Sequence, residues 1–251
     1  MATAEVHGAR LWYDETGDGP AVLLLHGGLG DSRLWEPVVP FLADRFRTIC
    51  TDLRFFGRST GPAAPWSWTD DVVGLLDELA VERVALVGLS LGGRIAVDVA
   101  LAYPERLWAL GLVAPGLGGH DGGAYTADHE ARYEAAENKL EAMLEIDLEV
   151  WAPLGADERI RRLWHTTPDA NPLPDGVEPK LADDAKERLG ELAVPTLVLT
   201  VAHDPAGFRE IGPLIAREAA NARHVELDSD HYVTLREPEL VARLLVEFLH
   251  E

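Results

Sequence analysis

Five short, largely apolar runs, each stopping at or just before a glycine, a proline or a polar residue, constrain this chain more than any other feature. Ala21-Val22-Leu23-Leu24-Leu25 stops at His26-Gly27-Gly28, residues 48–51 at Asp52, 84–87 at Gly88, 109–113 shortly before Pro115, and 195–201 shortly before Asp204. Runs of this kind read as strands buried on both faces. Segments with helical spacing lie between them, at 68–79, 92–103 and 208–220. Strands alternating with helices predict a mostly parallel, doubly wound α/β sheet, in which ligands bind beyond the carboxyl ends of the strands.

Residues 116–190 break the alternation, since no strand-like run appears there and the composition turns acidic and helical. We therefore expect a core made of residues 1–115 and 191–251, with 116–190 as an inserted helical cap. A glycine-rich hinge-like loop at 116–123 opens the insertion, and 168–179 is rich in Pro, Asp and Gly. Tyr133, Ala136, Leu140, Leu144, Asp147 and Trp151 recur at helical spacing and predict one mostly apolar helix face. That face either packs on the core or roofs a cavity.

Composition narrows the function classes. A chain of 251 residues, 47% hydrophobic, buries roughly 70–75% of its unfolded surface and needs no disulfide or structural metal to fold. Cys50 is the single cysteine, the first ten residues lack an apolar leader core, and no apolar run approaches membrane-spanning length. These features lead us to expect a cytoplasmic protein with no membrane partner. The balance of 22 basic against 43 acidic residues, a net charge of −21, argues against nucleic acid, whose phosphates require basic faces.

Gly88-Leu89-Ser90-Leu91-Gly92 is a G-x-S-x-G pattern, with an apolar strand before it and helical spacing after it. The glycines allow a sharp strand-to-helix turn that presents the serine hydroxyl at the sheet edge, as a nucleophile requires. In that arrangement an acid and then a histidine follow the serine along the chain. Of His203, His224, His231 and His250 in the final third, His224 begins a strand and His250 is penultimate, which leaves His231, in the loop after strand-like 224–227. Asp204, directly after the 195–201 strand, is the expected acid. Asp230 is a weaker choice, because neighbouring residues rarely aim their side chains at each other. The backbone N–H groups of Gly28 and Leu91 are the expected oxyanion donors.

Together these residues resemble the α/β-hydrolase fold family. The resemblance covers nearly the whole chain and takes in Asp52-Leu53-Arg54, Gly57-Arg58-Ser59 and Glu237-Pro238-Glu239. It implies a catalytic triad of Ser90, Asp204 and His231, and a cap domain at 116–190. Phe55, Val201 and Asp230 stand where the family commonly has glycine, and the Asp230 carboxylate is expected to favour the cationic form of His231.

A serine at the turn excludes the aspartyl-ester chemistry of some members. No H-E-x-x-H, paired His/Cys spacing or P-loop is present, so no metal, nucleotide or other cofactor is expected. The expected activity is hydrolysis of a carboxylic ester or lactone in a small, largely apolar molecule. C–C bond hydrolysis, perhydrolysis and slow-turnover ligand reception remain as alternatives on the same residues. Leu29, Phe55, Phe56, Met143, Trp151 and Trp164 are candidates for the substrate pocket. The expected partner is a small ester-like molecule, bound by a monomer or homodimer.

Overall fold

The computed structural model describes residues 1–62, 65–137, 139–167, 179–180 and 183–250. The stretch 168–178, most of the Pro-, Asp- and Gly-rich segment, lies outside them. Eight strands form one sheet in the order β1 (Ala2–Val6), β2 (Ala9–Thr16), β4 (Arg47–Thr51), β3 (Ala21–Leu25), β6 (Val84–Leu89), β7 (Leu107–Val113), β9 (Thr196–Val201), β10 (Ala222–Leu227). β2 is antiparallel to β1 and to β4, and all neighbours from β4 to β10 run parallel. β5 (Trp66–Ser67) and β8 (Pro179–Lys180) form a separate parallel pair.

The helices are α1 (Val39–Ala43), α2 (Trp68–Glu78), α3 (Leu91–Ala102), α4 (Ala127–Ala136), α5 (Leu140–Trp151), α6 (Glu158–Trp164), α7 (Ala206–Glu218), α8 (Val233–Arg236) and α9 (Pro238–Leu249). Side chains alternate across a strand, so each apolar run supplies both faces of the sheet. Leu23, Leu25, Leu86 and Val198 meet α2, α3 and α7 on one side. Val22, Leu24, Val87 and Leu199 meet α9 on the other. Each fully buried Leu or Val contributes about 1.5–3 kcal/mol over its exposed state. Cys50 lies in this second layer, on β4, and burial pushes its thiol pKa far up.

The single helix face expected across 133–151 is divided between two helices. Glu137 adopts a left-handed conformation (φ 47°) and ends α4. α5 then runs back along α4, and the Arg132–Glu149 ion pair (2.8 Å) and the Tyr133–Asp147 hydrogen bond (2.7 Å) cross the hairpin. Leu144, Leu148, Ile160 and Leu163 of α5 and α6 join the α9-side core, so much of the expected apolar face is packed on the body of the molecule.

Candidate active site

Ser90 links β6 to α3 with φ 53° and ψ −113°, a conformation that costs a non-glycine residue energy and persists where its surroundings enforce it. Here they do. Its N–H donates to Val113 O (3.0 Å), and its carbonyl accepts from Arg94 N–H (3.0 Å) and Gly116 N–H (2.9 Å). Close approach also explains the flanking glycines. A Cβ on Gly88 would collide with the Gly92 backbone, and one on Gly92 with the carbonyls of Leu25 and His26.

The parallel strand ends are laced together beside this turn. Ala114 N–H donates to Leu199 O (2.7 Å) and Ala202 N–H to Leu227 O (2.8 Å), so the loops after β9 and β10 share the carboxyl edge with Ser90. Asp204 and His231 come from those loops. Both are buried, and His231 Nδ1 lies 2.8 Å from Asp204 Oδ2, so that Nδ1–H donates to the carboxylate.

The loop after β3 closes the edge from the far side. His26 is fully buried, its Nε2 accepting from Leu53 N–H (2.9 Å) and its Nδ1–H donating to Gly27 O (2.8 Å), while burial lowers its pKa. Its carbonyl accepts from Gly92 N–H (3.1 Å), which holds residues 26–28 against the elbow. Leu91, the first residue of α3, has an N–H with no intrahelical acceptor. A Cβ on Gly28 would sit in ordinary contact with the Leu91 side chain, so the two expected oxyanion donors belong to adjoining segments.

The expected pocket residues separate into three groups. Trp151 lies on His231, its ring centroid 4.4 Å from the imidazole, and Phe208 of α7 meets both rings, at 4.8 Å from Trp151 and 5.9 Å from His231. Leu29, Met143 and Phe55 are half-buried, the last with its ring edge-on to Trp66 (4.8 Å). Trp164 and Phe56 are corrections. Trp164 is 0% exposed with its indole N–H on Asp147 Oδ2 (2.6 Å), and Phe56, 3% exposed, packs edge-on against His26. Burial on all sides makes both structural residues, not walls of an open cavity.

Sequence reasoning missed Phe208 and a polar node around Asp147. Besides Trp164, that carboxylate accepts from Tyr125 (2.5 Å) and Tyr133 (2.7 Å), and Tyr125 in turn accepts from the Trp151 indole N–H (2.9 Å). The one available signal was an aspartate on an otherwise apolar helix face. The partner of Asp230 was missed as well: its carboxylate is engaged by the Arg236 guanidinium (2.6 and 2.8 Å). Among the described residues, no cluster of three or more His, Cys, Asp or Glu could hold a metal ion, and no helix is long and apolar enough to cross a membrane.

A mostly parallel sheet with a strained serine at a strand-to-helix turn, and a buried His–Asp pair on the same edge, defines the class of the α/β hydrolases. The sequence pattern of the α/β hydrolase fold matches residues 20–137. An uncharacterised protein of Mycobacterium bovis is 40% identical over 114 residues, 44% of this chain and 33% of that protein, so the alignment spans about a third of that relative's length. A 2-hydroxy-6-oxononadienedioate/2-hydroxy-6-oxononatrienedioate hydrolase of Paraburkholderia xenovorans is 28% identical over 261 residues, covering 96% of this chain and 90% of that one. The crystal structure of the enol-lactonase from Burkholderia xenovorans LB400 superposes with a TM-score of 0.79 at 26% identity, over 99% of this chain and 100% of that one. The chain has the α/β-hydrolase fold and is similar along nearly its whole length to hydrolases of that superfamily.

Proposed function

We propose that the protein is a serine hydrolase that cleaves a carboxylic ester or lactone of a small, largely apolar molecule through an acyl-enzyme on Ser90. The observation that carries this reading is the buried His231–Asp204 hydrogen bond of 2.8 Å on the strand edge that also bears Ser90. Asp204 holds the Nδ1–H tautomer, which leaves Nε2 free of a proton to take the one on the Ser90 hydroxyl. The serine oxygen attacks the carbonyl, and the negative charge that develops is met by the N–H groups of Gly28 and Leu91. His231 then protonates the departing alcohol, and water, activated by the same imidazole, releases the acid. Similarity to an enol-lactonase over the full chain supports the choice of substrate class.

The test is hydrolysis of p-nitrophenyl esters from acetate to dodecanoate by the wild type and by Ser90→Ala. The expected result is turnover of about 1 s⁻¹ or more, lost in the variant, with the preferred acyl length sizing the pocket. Equal inactivity of two folded proteins would overturn the reading.

One relative favours a second reading. The Paraburkholderia hydrolase is named for oxo-dienedioates, which carry a ketone and carboxylates but no ester, so its hydrolysis breaks a carbon–carbon bond. The same Ser90, Asp204 and His231 would serve that reaction. Turnover of a β-diketone in the absence of ester turnover would select it.

A further inference from the structure

Asp230, the residue before His231, is 0% exposed. A buried carboxylate is costly unless its oxygens are bonded and its charge is paired. Oδ1 accepts from Tyr232 N–H (3.2 Å) and Arg236 Nε (2.6 Å), and Oδ2 from Arg236 Nη2 (2.8 Å) and Leu154 N–H (3.2 Å). Leu154 is remote in sequence and lies in the turn between α5 and α6. Arg236 Nη2 also donates to Gly155 O in that turn, so one guanidinium spans the carboxylate and a carbonyl of the insertion.

Ala152 and Ala156, at the two ends of the turn, pack on the α9-side core, while its middle is exposed. The Leu154 side chain is 49% exposed, and Gly155 has φ 99° with nothing within 4 Å of where a Cβ would stand. The middle of the turn is therefore held to the His231 loop through backbone groups, by Asp230 and Arg236. Trp151, which lies on the His231 ring, ends α5 three residues before Leu154.

We propose that Asp230 and Arg236 are positioning residues that clamp the α5–α6 turn onto the His231 loop, and so hold Trp151 as a fixed wall beside the base. This rests on the reading of His231 as the base of a Ser90 hydrolase. The leaving group sits next to the imidazole that protonates it, so Trp151 and Phe208 flank the alcohol part of the ester. The clamp thus sets selectivity for that part. Lysine cannot replace Arg236, because a single ammonium lacks the planar fork that reaches two acceptors at once.

The test uses Asp230→Ala and the milder Arg236→Lys, which keeps the charge. The Leu154 amide is followed by hydrogen exchange, kinetics are measured on esters of one acid with methyl and naphthyl alcohols, and Ser90 is phosphorylated with diisopropyl fluorophosphate. In both variants Leu154 exchange is expected to accelerate at least about tenfold. Naphthyl-ester kcat/KM is expected to fall roughly 10- to 100-fold, mostly through KM, as a displacement of about 1 Å produces. The rate of Ser90 phosphorylation is expected to stay within about threefold of wild type, since the reacting groups are intact.

Wild-type exchange and KM in Arg236→Lys would reduce the arginine to a counterion and overturn the clamp. A phosphorylation rate that falls in step with kcat/KM would overturn it too, by placing the effect on the base itself. Wild-type protein left unlabelled by the fluorophosphate would overturn the Ser90 reading instead, and the exchange measurement would still decide the clamp.

Discussion

His231 donates from Nδ1 to Asp204 Oδ2 over 2.8 Å, while the other carboxylate oxygen, also buried, receives no hydrogen bond among the described residues. That single bond is the one the proposed triad requires of its acid. Asp204→Asn is expected to lower kcat by about 10⁴ with the fold intact, because an amide N–H facing Nδ1 moves the imidazole proton to Nε2. Ester turnover beside circular dichroism measures this. A loss under about tenfold would assign the acid's role elsewhere.

The glycines of the elbow and of the loop after β3 differ in the room around them. Gly92→Ala places a methyl against the carbonyls of Leu25 and His26, backbone that cannot yield, and is expected to cost about 3 kcal/mol or more. Gly28→Ala meets only the Leu91 side chain, at 3.8 Å, and should stay within about 0.5 kcal/mol. Urea unfolding of both variants checks the contrast.

His26 makes stability depend on pH. Burial lowers its pKa below the ordinary 6.5, so the unfolded chain takes up a proton that the folded chain refuses. The stabilisation is whole above that value and falls as pH drops below it, by at most about 1.4 kcal/mol per pH unit. Unfolding at about pH 7.5 and about pH 5.5 should show a larger loss for wild type than for His26→Gln. Equal losses would remove His26 from the account.

Asp147 is the shared acceptor for Tyr125, Tyr133 and Trp164. Asp147→Leu takes that acceptor from three donors and is expected to cost about 3 kcal/mol or more. Because Trp151 bonds Tyr125, its packing on His231 should loosen as well. Denaturant midpoints measure the first effect, and KM for aryl esters the second.

What could be read from sequence alone was whatever local chemistry dictates. Strands buried on both faces need largely apolar runs, and β3, β4, β6, β7 and β9 each overlap one. β1 and β2 escaped notice because they alternate or turn polar at the sheet margin. Phe55 was marked as standing where glycine was expected, and its φ of 70° is the left-handed conformation that favours glycine. Partners distant in sequence left no local trace. Nothing around Asp230 announces Leu154, and nothing around Asp147 announces Tyr125, so their roles emerge only when the insertion is folded. Trp164 misled for a related reason, since its residue type is the same in a pocket wall and in a core.

Cys50 has one practical consequence. It is 8% exposed, and burial holds its thiol in the unreactive protonated form. As it is the chain's single cysteine, a second one introduced on the surface would meet no competition from it for a maleimide. Leu154→Cys, at an exposed side chain that takes no part in the bonds its own backbone makes, would carry a spin label or fluorophore on the α5–α6 turn itself. The natural sequence is thus already a near-blank background for watching that turn by thiol labelling.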